Sequence, residues 1–260
     1  MKLILVLLLM CFVAVNILVA PCLAGIDPET AVGIYLFEEG KGNEVIDGSG
    51  KGHDGITVGG NGKREDGKFG SAMNIAEGGW VRIETTDALH PVDAWTIVAW
   101  FNIENIADHH TIVTKWDEYL LRVDTPGEGS RLSAFVKPGG NWEPRASATV
   151  PKTETWIHAA LVWDNEENGA SKIYMDGAQA GQSFRQGKIA ANANPLCIGS
   201  QTGGWLFPGL IDDVGIFNVP LEEDDIKFIM ENGLEKTLGG GISVEPQVGL
   251  ATTWGELKIR

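Results

Sequence analysis

The sequence predicts an all-β fold, a two-sheet antiparallel β-sandwich (jelly roll) with one short C-terminal helix. Short apolar or alternating runs recur along most of the chain with turn-forming residues between them, a pattern that is typical of sandwiches. The 34 glycines serve the turns that join these runs. Convincing helical periodicity occurs in a single segment, residues 221–232.

The predicted strands begin at residue 31 and continue to residue 217. The two longest, residues 94–103 and 155–163, are apolar on both faces, as expected in the middle of a sandwich. Asp176-Gly177 predicts a hairpin turn. The other strands are expected at residues 31–37, 53–58, 71–76, 80–83, 111–115, 119–123, 131–136, 172–175, 196–198 and 209–217.

The last of these strands, residues 209–217, carries two adjacent acids in an otherwise mostly apolar run. Side chains alternate along a strand, so Asp212 and Asp213 are predicted to point to opposite faces. A buried carboxylate needs a basic side chain, backbone N–H groups or a metal ion as its partner. The pattern leaves all three partners open.

The helix predicted at residues 221–232 has four acids in its first turn, where the helix dipole favours negative charge. Ile226, Ile229 and Met230 form an apolar stripe, and Gly233 is a suitable stop. We expect this helix to be a short lid over one edge of the sandwich.

The two ends of the chain are predicted to lie outside the folded domain, which is expected at residues 25–238. Residues 1–24 resemble a signal peptide, with an apolar run at 3–20 and a cleavage site after Ala24; an uncleaved membrane anchor is the alternative. Residues 239–260 are predicted to be a glycine-rich linker and tail. The tail is either a flexible extension or a docking segment that contains Trp254, Leu257 and Ile259.

The charge and cysteine content exclude several classes of protein. Asp and Glu number 35 against 20 Lys and Arg, a net charge of −15, which disfavours binding to nucleic acid or to anionic membranes. We expect a secreted, extracellular or periplasmic protein that does not insert into a membrane after signal cleavage. Cys197 is then the one remaining cysteine and is predicted to be a buried, inert thiol.

The order of motifs between residues 31 and 234 resembles the laminin G-like jelly-roll domain of the concanavalin A-like lectin/glucanase superfamily. The motifs are Asp47-Gly48-Ser49-Gly50, Phe69-Gly70-Ser71-Ala72-Met73, the strand at 95–101, Trp156-Ile157-His158-Ala159, Ile173-Tyr174-Met175-Asp176-Gly177, Ile198-Gly199, the run at 207–214 and Pro220-Leu221. The resemblance implies two stacked antiparallel sheets.

In many members the resemblance also implies a structural Ca²⁺ ion between the early loop and the late acidic strand. Asp47 and Asp212 would be its side-chain ligands, with backbone carbonyls near Gly50 and His53 in addition. Calcium prefers oxygen ligands of this kind. The alternative is that Asp212 accepts backbone N–H groups from the early loop without a metal.

Catalysis is not expected, because the sequence lacks the carboxylate pattern of the related hydrolases. In the superfamily that this chain resembles, the laminarinase-like enzymes carry Glu-x-Asp-x-x-Glu on one strand and the alginate lyases carry Gln-x-His. Neither motif occurs here. His158 lies in an apolar strand and is predicted to be a satisfied core histidine. His109 and His110 are adjacent, so on a strand they would face opposite ways and not form a joint site.

Carbohydrate binding is the leading prediction, because several of the nine tryptophans fall in or near loops, namely Trp116, Trp142, Trp205 and Trp254. An exposed indole can stack on the apolar face of a sugar. Trp142 with Arg145, and Trp205, are the best candidates, and Tyr119 and Arg122 are predicted to line the same face. The expected function is an exported, non-catalytic module that binds a glycan or a cell-surface protein. The alternatives are a protein adhesion or assembly module, which could use the tail, and a divergent glycoside hydrolase or lyase.

Overall fold

A computed structural model describes residues 25–239. The predicted signal peptide, and the predicted tail from residue 240 onward with Trp254, lie outside these residues. Within them the chain forms sixteen strands: β1 (Ala31–Tyr35), β2 (Glu44–Val45), β3 (Gly55–Val58), β4 (Arg64–Asp66), β5 (Ser71–Asn74), β6 (Trp80–Ile83), β7 (Ala94–Ile103), β8 (His110–Lys115), β9 (Tyr119–Val123), β10 (Leu132–Val136), β11 (Ala146–Ser147), β12 (Trp156–Asp164), β13 (Ala170–Met175), β14 (Ala178–Phe184), β15 (Leu196–Ile198) and β16 (Gly209–Phe217).

The strands form two antiparallel sheets of eight strands each. The first sheet has the order β14-β13-β12-β7-β16-β5-β4, with β1 also paired to β16. The second has the order β11-β10-β9-β8-β15-β6-β3-β2. The two long apolar strands, β7 and β12, lie side by side near the middle of the first sheet, which confirms the predicted all-β sandwich.

The main core lies between the sheets and is built from alternate residues of each strand. Trp95, Phe101 and Trp163 from the first sheet are buried against residues of the second such as Tyr119 and Leu121. A β-sandwich of this size rests chiefly on this interdigitated apolar layer.

Three α-helices occur within residues 25–239: α1 (Ile75–Gly78), α2 (Glu223–Asn232) and α3 (Leu234–Thr237). The predicted helix corresponds to α2, which begins two residues later than expected and is followed by Gly233 at φ 76°. Its Ile226 and Ile229 pack with Val98 and Ala160 of the first sheet. The helix therefore covers the outer face of a sheet and not an edge, since its apolar stripe needs a wide apolar surface.

A β-bulge in β16 overturns the predicted alternation of its two acids. The pairing with β7 shifts between Asp212 and Gly215, and Asp213 has a positive φ of 45°. Ile211 and Val214 both face the core between the sheets. Asp212 and Asp213 lie between these two inward residues, so they do not point to opposite faces as predicted. The prediction of opposite faces is wrong because a bulge adds one residue to the strand, whereas simple alternation assumes one residue per pleat.

No helix in the described part of the chain has the length and apolar character needed to cross a membrane.

Candidate functional site

A cleft of about 250 Å³ opens on the outer face of the second sheet, and we call it the aromatic cleft. Its lining combines large aromatic and charged side chains: Trp116, Leu120, Arg122, Glu128, Phe135, Trp142, Glu143, Arg145 and Trp205. Four of the five residues predicted to bind ligand are thus brought together, namely Arg122, Trp142, Arg145 and Trp205. Such clefts, apolar with a few convergent polar groups, are the usual form of small-molecule sites.

Strands β9 and β10 supply the floor of the aromatic cleft. Leu120 and Arg122 are two residues apart on β9 and so share a face, and Phe135 on β10 pairs directly with Leu120. The Arg122 guanidinium lies 4.7 Å from the centre of the Phe135 ring, which is a cation–π contact.

Tyr119 does not belong to this face, and the prediction that it lines the site with Arg122 is wrong. Its side chain is fully buried in the core, and its hydroxyl donates to the Leu89 carbonyl over 3.3 Å. Tyr119 and Arg122 are three residues apart on one strand, so they point to opposite sides of the sheet.

Three loops bring three half-buried indoles to the walls of the cleft. Trp116 follows β8, Trp142 follows β10, and Trp205 precedes β16. The ring centres of Trp116 and Trp142 are 5.3 Å apart at 43°, and those of Trp116 and Trp205 are 5.6 Å apart at 72°. The rings therefore form an angled aromatic wall and not a flat platform.

Hydrogen bonds to the backbone hold two of these indoles in place. The side-chain amides of Asn192 and Asn194 donate to the Trp116 carbonyl over 3.0 and 2.9 Å. Thr111 N–H donates to the Trp205 carbonyl over 3.0 Å. Trp205 has a positive φ of 49°, a strained conformation for an aromatic residue, and such strain is concentrated at functional sites.

A buried charge network lies beneath Trp116. Lys115 Nζ donates to Glu118 over 2.6 Å and to the Asn192 carbonyl over 3.0 Å. Glu118 also accepts Asn192 N–H over 3.1 Å and contacts the His90 ring over 2.8 Å. Burial lowers the pKa of Lys115, although the contact with Glu118 opposes that shift. The network ties the 192–194 loop to β8 and thereby supports Trp116.

Ion pairs connect the charged side chains of the aromatic cleft. Arg122 Nε donates to Asp124 over 2.8 Å, and its Nη2 contacts Glu128 over 3.2 Å. Arg145 Nη1 donates to Glu128 over 2.9 Å, and its Nε lies 3.7 Å from Glu143. Both guanidiniums are thus already bound to carboxylates.

Glu128 lies at the centre of this network. Burial alone would raise the pKa of its carboxyl group, but hydrogen bonds from Arg145 and His109 outweigh that effect and lower the pKa to about 2. The His109 ring also lies against Trp205, with ring centres 4.7 Å apart. Glu128 is therefore a permanent carboxylate at neutral pH.

His109, Asp124 and Glu128 offer ligand atoms that lie within 4.8 Å of one another, a spacing that could hold a metal ion. The two guanidiniums already occupy the carboxylates, and a cation placed there would meet Arg122 and Arg145. This arrangement fits an ion-pair network better than a metal centre.

Asp47, the first residue predicted to bind calcium, clamps the early loop. Its Oδ1 accepts the N–H groups of Ile34 and Ser49 over 3.0 and 2.9 Å, and its Oδ2 accepts His53 N–H over 3.0 Å. The carboxylate is therefore satisfied by three backbone donors.

Asp212 is the second residue predicted to bind calcium, and it holds the segment at residues 68–69. Its Oδ2 accepts the N–H groups of Lys68 and Phe69 over 2.8 and 3.0 Å, and its Oδ1 accepts Asp213 N–H over 2.7 Å. Burial, followed by the neighbouring Asp213 charge, raises the pKa of Asp212 to about 8.

The two aspartates do not fit a shared calcium site. Each directs its oxygens at positively polarised N–H groups, and the two share no hydrogen-bond partner. Asp212 instead accepts backbone N–H groups, as in the alternative without a metal. Its partners include residues 68–69 and do not come from the early loop.

Cys197 and His158 are both fully buried. Cys197 is a buried free thiol, as predicted, and burial raises its pKa to about 11. His158 is fully buried against Trp100, but neither ring nitrogen has a hydrogen-bond partner among residues 25–239, so it is not the satisfied histidine that was expected.

The sequence analysis did not select five residues of the cleft, namely Trp116, Leu120, Glu128, Phe135 and Glu143, or His109, which contacts Glu128 and Trp205 beside it. Trp116 and His109 carried a weak signal as a loop tryptophan and half of a histidine pair. Glu128 carried none, because it reaches the cleft only through the 3-10 turn Pro126–Glu128 between β9 and β10.

Comparison with solved structures shows the same fold in binding domains. Domain 4 of an extracellular arabinanase from Geobacillus stearothermophilus, solved with arabinotriose, is 20% identical with a TM-score of 0.57, and the match covers 77% of this chain and 98% of that one. The binding domain of botulinum neurotoxin DC with rat synaptotagmin II is 13% identical with a TM-score of 0.60, over 78% of this chain and 52% of that one.

A third structure is the ligand-binding domain of botulinum neurotoxin serotype D with N-acetylneuraminic acid, 12% identical with a TM-score of 0.56. That match covers 79% of this chain and 51% of that one, so the chain spans about half the length of the toxin domains. A search of curated proteins found no match by sequence.

The family model described as the concanavalin A-like lectin/glucanases superfamily, of the laminin G type, matches residues 75–227. This match covers more than half of the sequence and includes β6 to β16. The chain therefore belongs to the concanavalin A-like lectin/glucanase superfamily.

Proposed function

We propose that this chain is a non-catalytic glycan-binding module and that the aromatic cleft is its sugar site. The observation that carries the proposal is the convergence of Trp116, Trp142 and Trp205 beside the charged groups of Arg145 and Glu143. Indole faces stack on the C–H face of a sugar ring, while charged groups exchange hydrogen bonds with its hydroxyls. The arabinotriose and N-acetylneuraminic acid in the complexes of two neighbours support a glycan as the ligand class.

The angles between the indoles indicate how a sugar would be held. Rings inclined by 43° and 72° cannot all lie on one flat surface, but they can enclose a single chain or a chain end. The cleft, at about 250 Å³, is smaller than the usual 300–1,000 Å³ of small-molecule pockets. It suits one or two sugar residues.

The charged groups of the cleft favour binding over catalysis. Sugar hydrolysis needs a carboxylic acid that is protonated near neutral pH to donate to the leaving oxygen. The pKa of Glu128 is lowered to about 2, which is unsuitable for a general acid. The acids with raised pKa, Asp212 and Asp213, bond to backbone N–H groups elsewhere in the fold.

The proposal is tested by applying the chain from residue 25 onward to an array of plant, bacterial and animal glycans. We expect binding that Trp142→Ala and Trp205→Ala each weaken at least tenfold. Phe228→Ala, an exposed aromatic on α2, is the matched control and should retain binding. Binding that is absent, or that survives both tryptophan variants, would contradict the proposal.

Location outside the cytoplasm is part of the same proposal and is supported by the signal-like pattern of residues 1–24. Mass spectrometry of the exported chain would show whether it begins at Gly25.

A protein partner is the second candidate, because the neurotoxin DC domain is bound to synaptotagmin in its complex. Truncation before Ile242 separates the two functions. Glycan binding at the cleft should survive it, and assembly through the tail should not.

A further inference from the structure

We infer that the aromatic cleft selects uncharged sugars and discriminates against uronates and sialylated glycans, although two arginines line it. This inference rests on the proposed glycan site and names the chemical class of its ligand. An exposed arginine in a sugar site would suggest the opposite, because guanidinium groups pair with carboxylates. The ion pairs that Arg122 and Arg145 already form indicate whether the cleft favours charged or uncharged sugars.

Both guanidiniums are already paired with carboxylates of the protein. Arg122 lies against the floor of the cleft, with its side chain 8% exposed, and it contacts Asp124 and Glu128. Arg145 contacts Glu128 over 2.9 Å, Asp124 over 3.6 Å and Glu143 over 3.7 Å. An anionic sugar that displaced one of these carboxylates would leave it unpaired in a partly buried site, which is unfavourable. An anionic sugar that instead approached the remaining N–H groups of Arg145 would lie beside Glu128 and Glu143, whose charges repel it.

The charge of the ion-pair network also opposes an anion. The cleft lining holds two carboxylates, Glu128 and Glu143, and two guanidiniums, and the buried Asp124 adds a third carboxylate to the network. Lys137 lies 5.3 Å from the Trp142 ring and is itself paired with Asp117 over 2.6 Å. The whole chain carries a net charge of −15, so the field at long range also repels anions.

The same groups suit neutral hydroxyls well. A sugar hydroxyl donates one hydrogen bond and accepts others, so it needs both kinds of partner side by side. Arg145 Nη2 has no hydrogen-bond partner within residues 25–239 and can donate, while the Glu143 side chain is 64% exposed and can accept. The Arg145–Glu143 edge therefore offers a donor and an acceptor without a change of net charge.

The test compares matched neutral and charged oligosaccharides by calorimetric titration of the chain from residue 25 onward. The pairs are trigalacturonate with its carboxyl-reduced trisaccharide and 3′-sialyllactose with lactose, with arabinotriose, xylotriose and cellotriose as further neutral probes. We expect at least one neutral probe to bind and every charged probe to bind at least tenfold more weakly. A charged probe that binds as tightly as the best neutral one overturns this inference but leaves the glycan site intact. No binding to any probe or to the glycan array overturns the proposed function itself.

A charge variant provides a second, independent result. Glu143→Gln removes one negative charge at the rim and should narrow the neutral-to-charged affinity ratio by about 3- to 10-fold. Glu166→Gln, an exposed acid away from the cleft, is the matched control and should keep the ratio of the wild type. A ratio that Glu143→Gln leaves unchanged would show that the charge of the cleft does not select the ligand and would overturn the inference.

Discussion

Arg145 Nη1 donates a 2.9 Å hydrogen bond to Glu128, and this contact joins the loop before β11 to the turn between β9 and β10. Glu128 also accepts a hydrogen bond from Arg122 Nη2, so one carboxylate positions both guanidiniums of the aromatic cleft. Charge-assisted contacts of this kind fix geometry more effectively than neutral hydrogen bonds. The shape of the cleft therefore depends on Glu128.

Replacing Glu128 with Gln should lower both stability and glycan affinity. Its side chain is about one-third exposed, so we expect a loss of only about 1 kcal/mol of unfolding free energy, at the upper end for solvent-screened ion pairs. Urea unfolding and glycan titration measure the two effects. Unchanged affinity in Glu128→Gln, with Glu166→Gln as the control, would show that the network does not shape the site.

Asp47→Asn tests whether the early loop is held by backbone hydrogen bonds or by calcium. The variant exchanges a carboxylate that accepts three N–H groups for an amide with one acceptor, so stability should fall by about 1–3 kcal/mol. The loss should be equal in calcium and in EDTA, measured by thermal unfolding.

Asp66→Asn, an exposed acid on β4, is the control and should have little effect. Calcium-dependent stabilisation of the wild type that disappears in Asp47→Asn or Asp212→Asn would reverse our conclusion about the two aspartates.

His158 should make the fold sensitive to acid. Burial, and to a smaller extent the Lys68 charge, lower its pKa to about 3 from the ordinary 6.5. The unfolded chain then binds the proton at higher pH than the native chain does, so this contribution to stability is complete above pH 6.5 and is lost as the pH falls toward 3.

In urea unfolding, the wild type should lose about 3 kcal/mol more than His158→Phe between pH 7 and pH 4, since one pKa unit corresponds to about 1.4 kcal/mol and pH 4 lies about 2.5 units below the ordinary histidine pKa of 6.5. The phenylalanine keeps the contact with Trp100 and removes the two nitrogens. Parallel losses in the two proteins would show that His158 does not titrate in this way.

Lys115→Met should be among the most destabilising single changes at the cleft. It leaves the fully buried Glu118 without its lysine, and breaking a buried ion pair costs about 3–5 kcal/mol. The loop at residues 192–194 should loosen, and glycan affinity should fall with it because Trp116 loses support. Lys152→Met, on an exposed lysine, is the matched control for equilibrium unfolding. A loss below about 1 kcal/mol would contradict this account of the network.

The sequence allowed the sandwich, its two central strands and α2 to be predicted, because each depends on a local period of apolar residues. Four of the cleft residues could be predicted for a similar reason, since loop tryptophans and arginines are recognisable one at a time. The prediction for Tyr119 is wrong because Tyr119 and Arg122 are three residues apart on one strand. With a side-chain period of two residues, they face opposite sides of the sheet.

Other features depend on contacts that no local pattern records. The bulge at Asp213 adds one residue to a strand that otherwise alternates, and it brings both acids to one side. Glu128 and His109 meet across loops 19 residues apart, so their pairing follows from the packing of the second sheet.

The most direct test of the glycan site is an NMR titration of the indole N–H resonances with the tightest-binding neutral probe. The signals of Trp116, Trp142 and Trp205 should shift together along one binding curve. Those of Trp95 and Trp163, which are buried in the core, are internal controls and should stay in place. Shifts confined to tryptophans outside the aromatic cleft, or no shifts at saturating sugar, would contradict the proposed site.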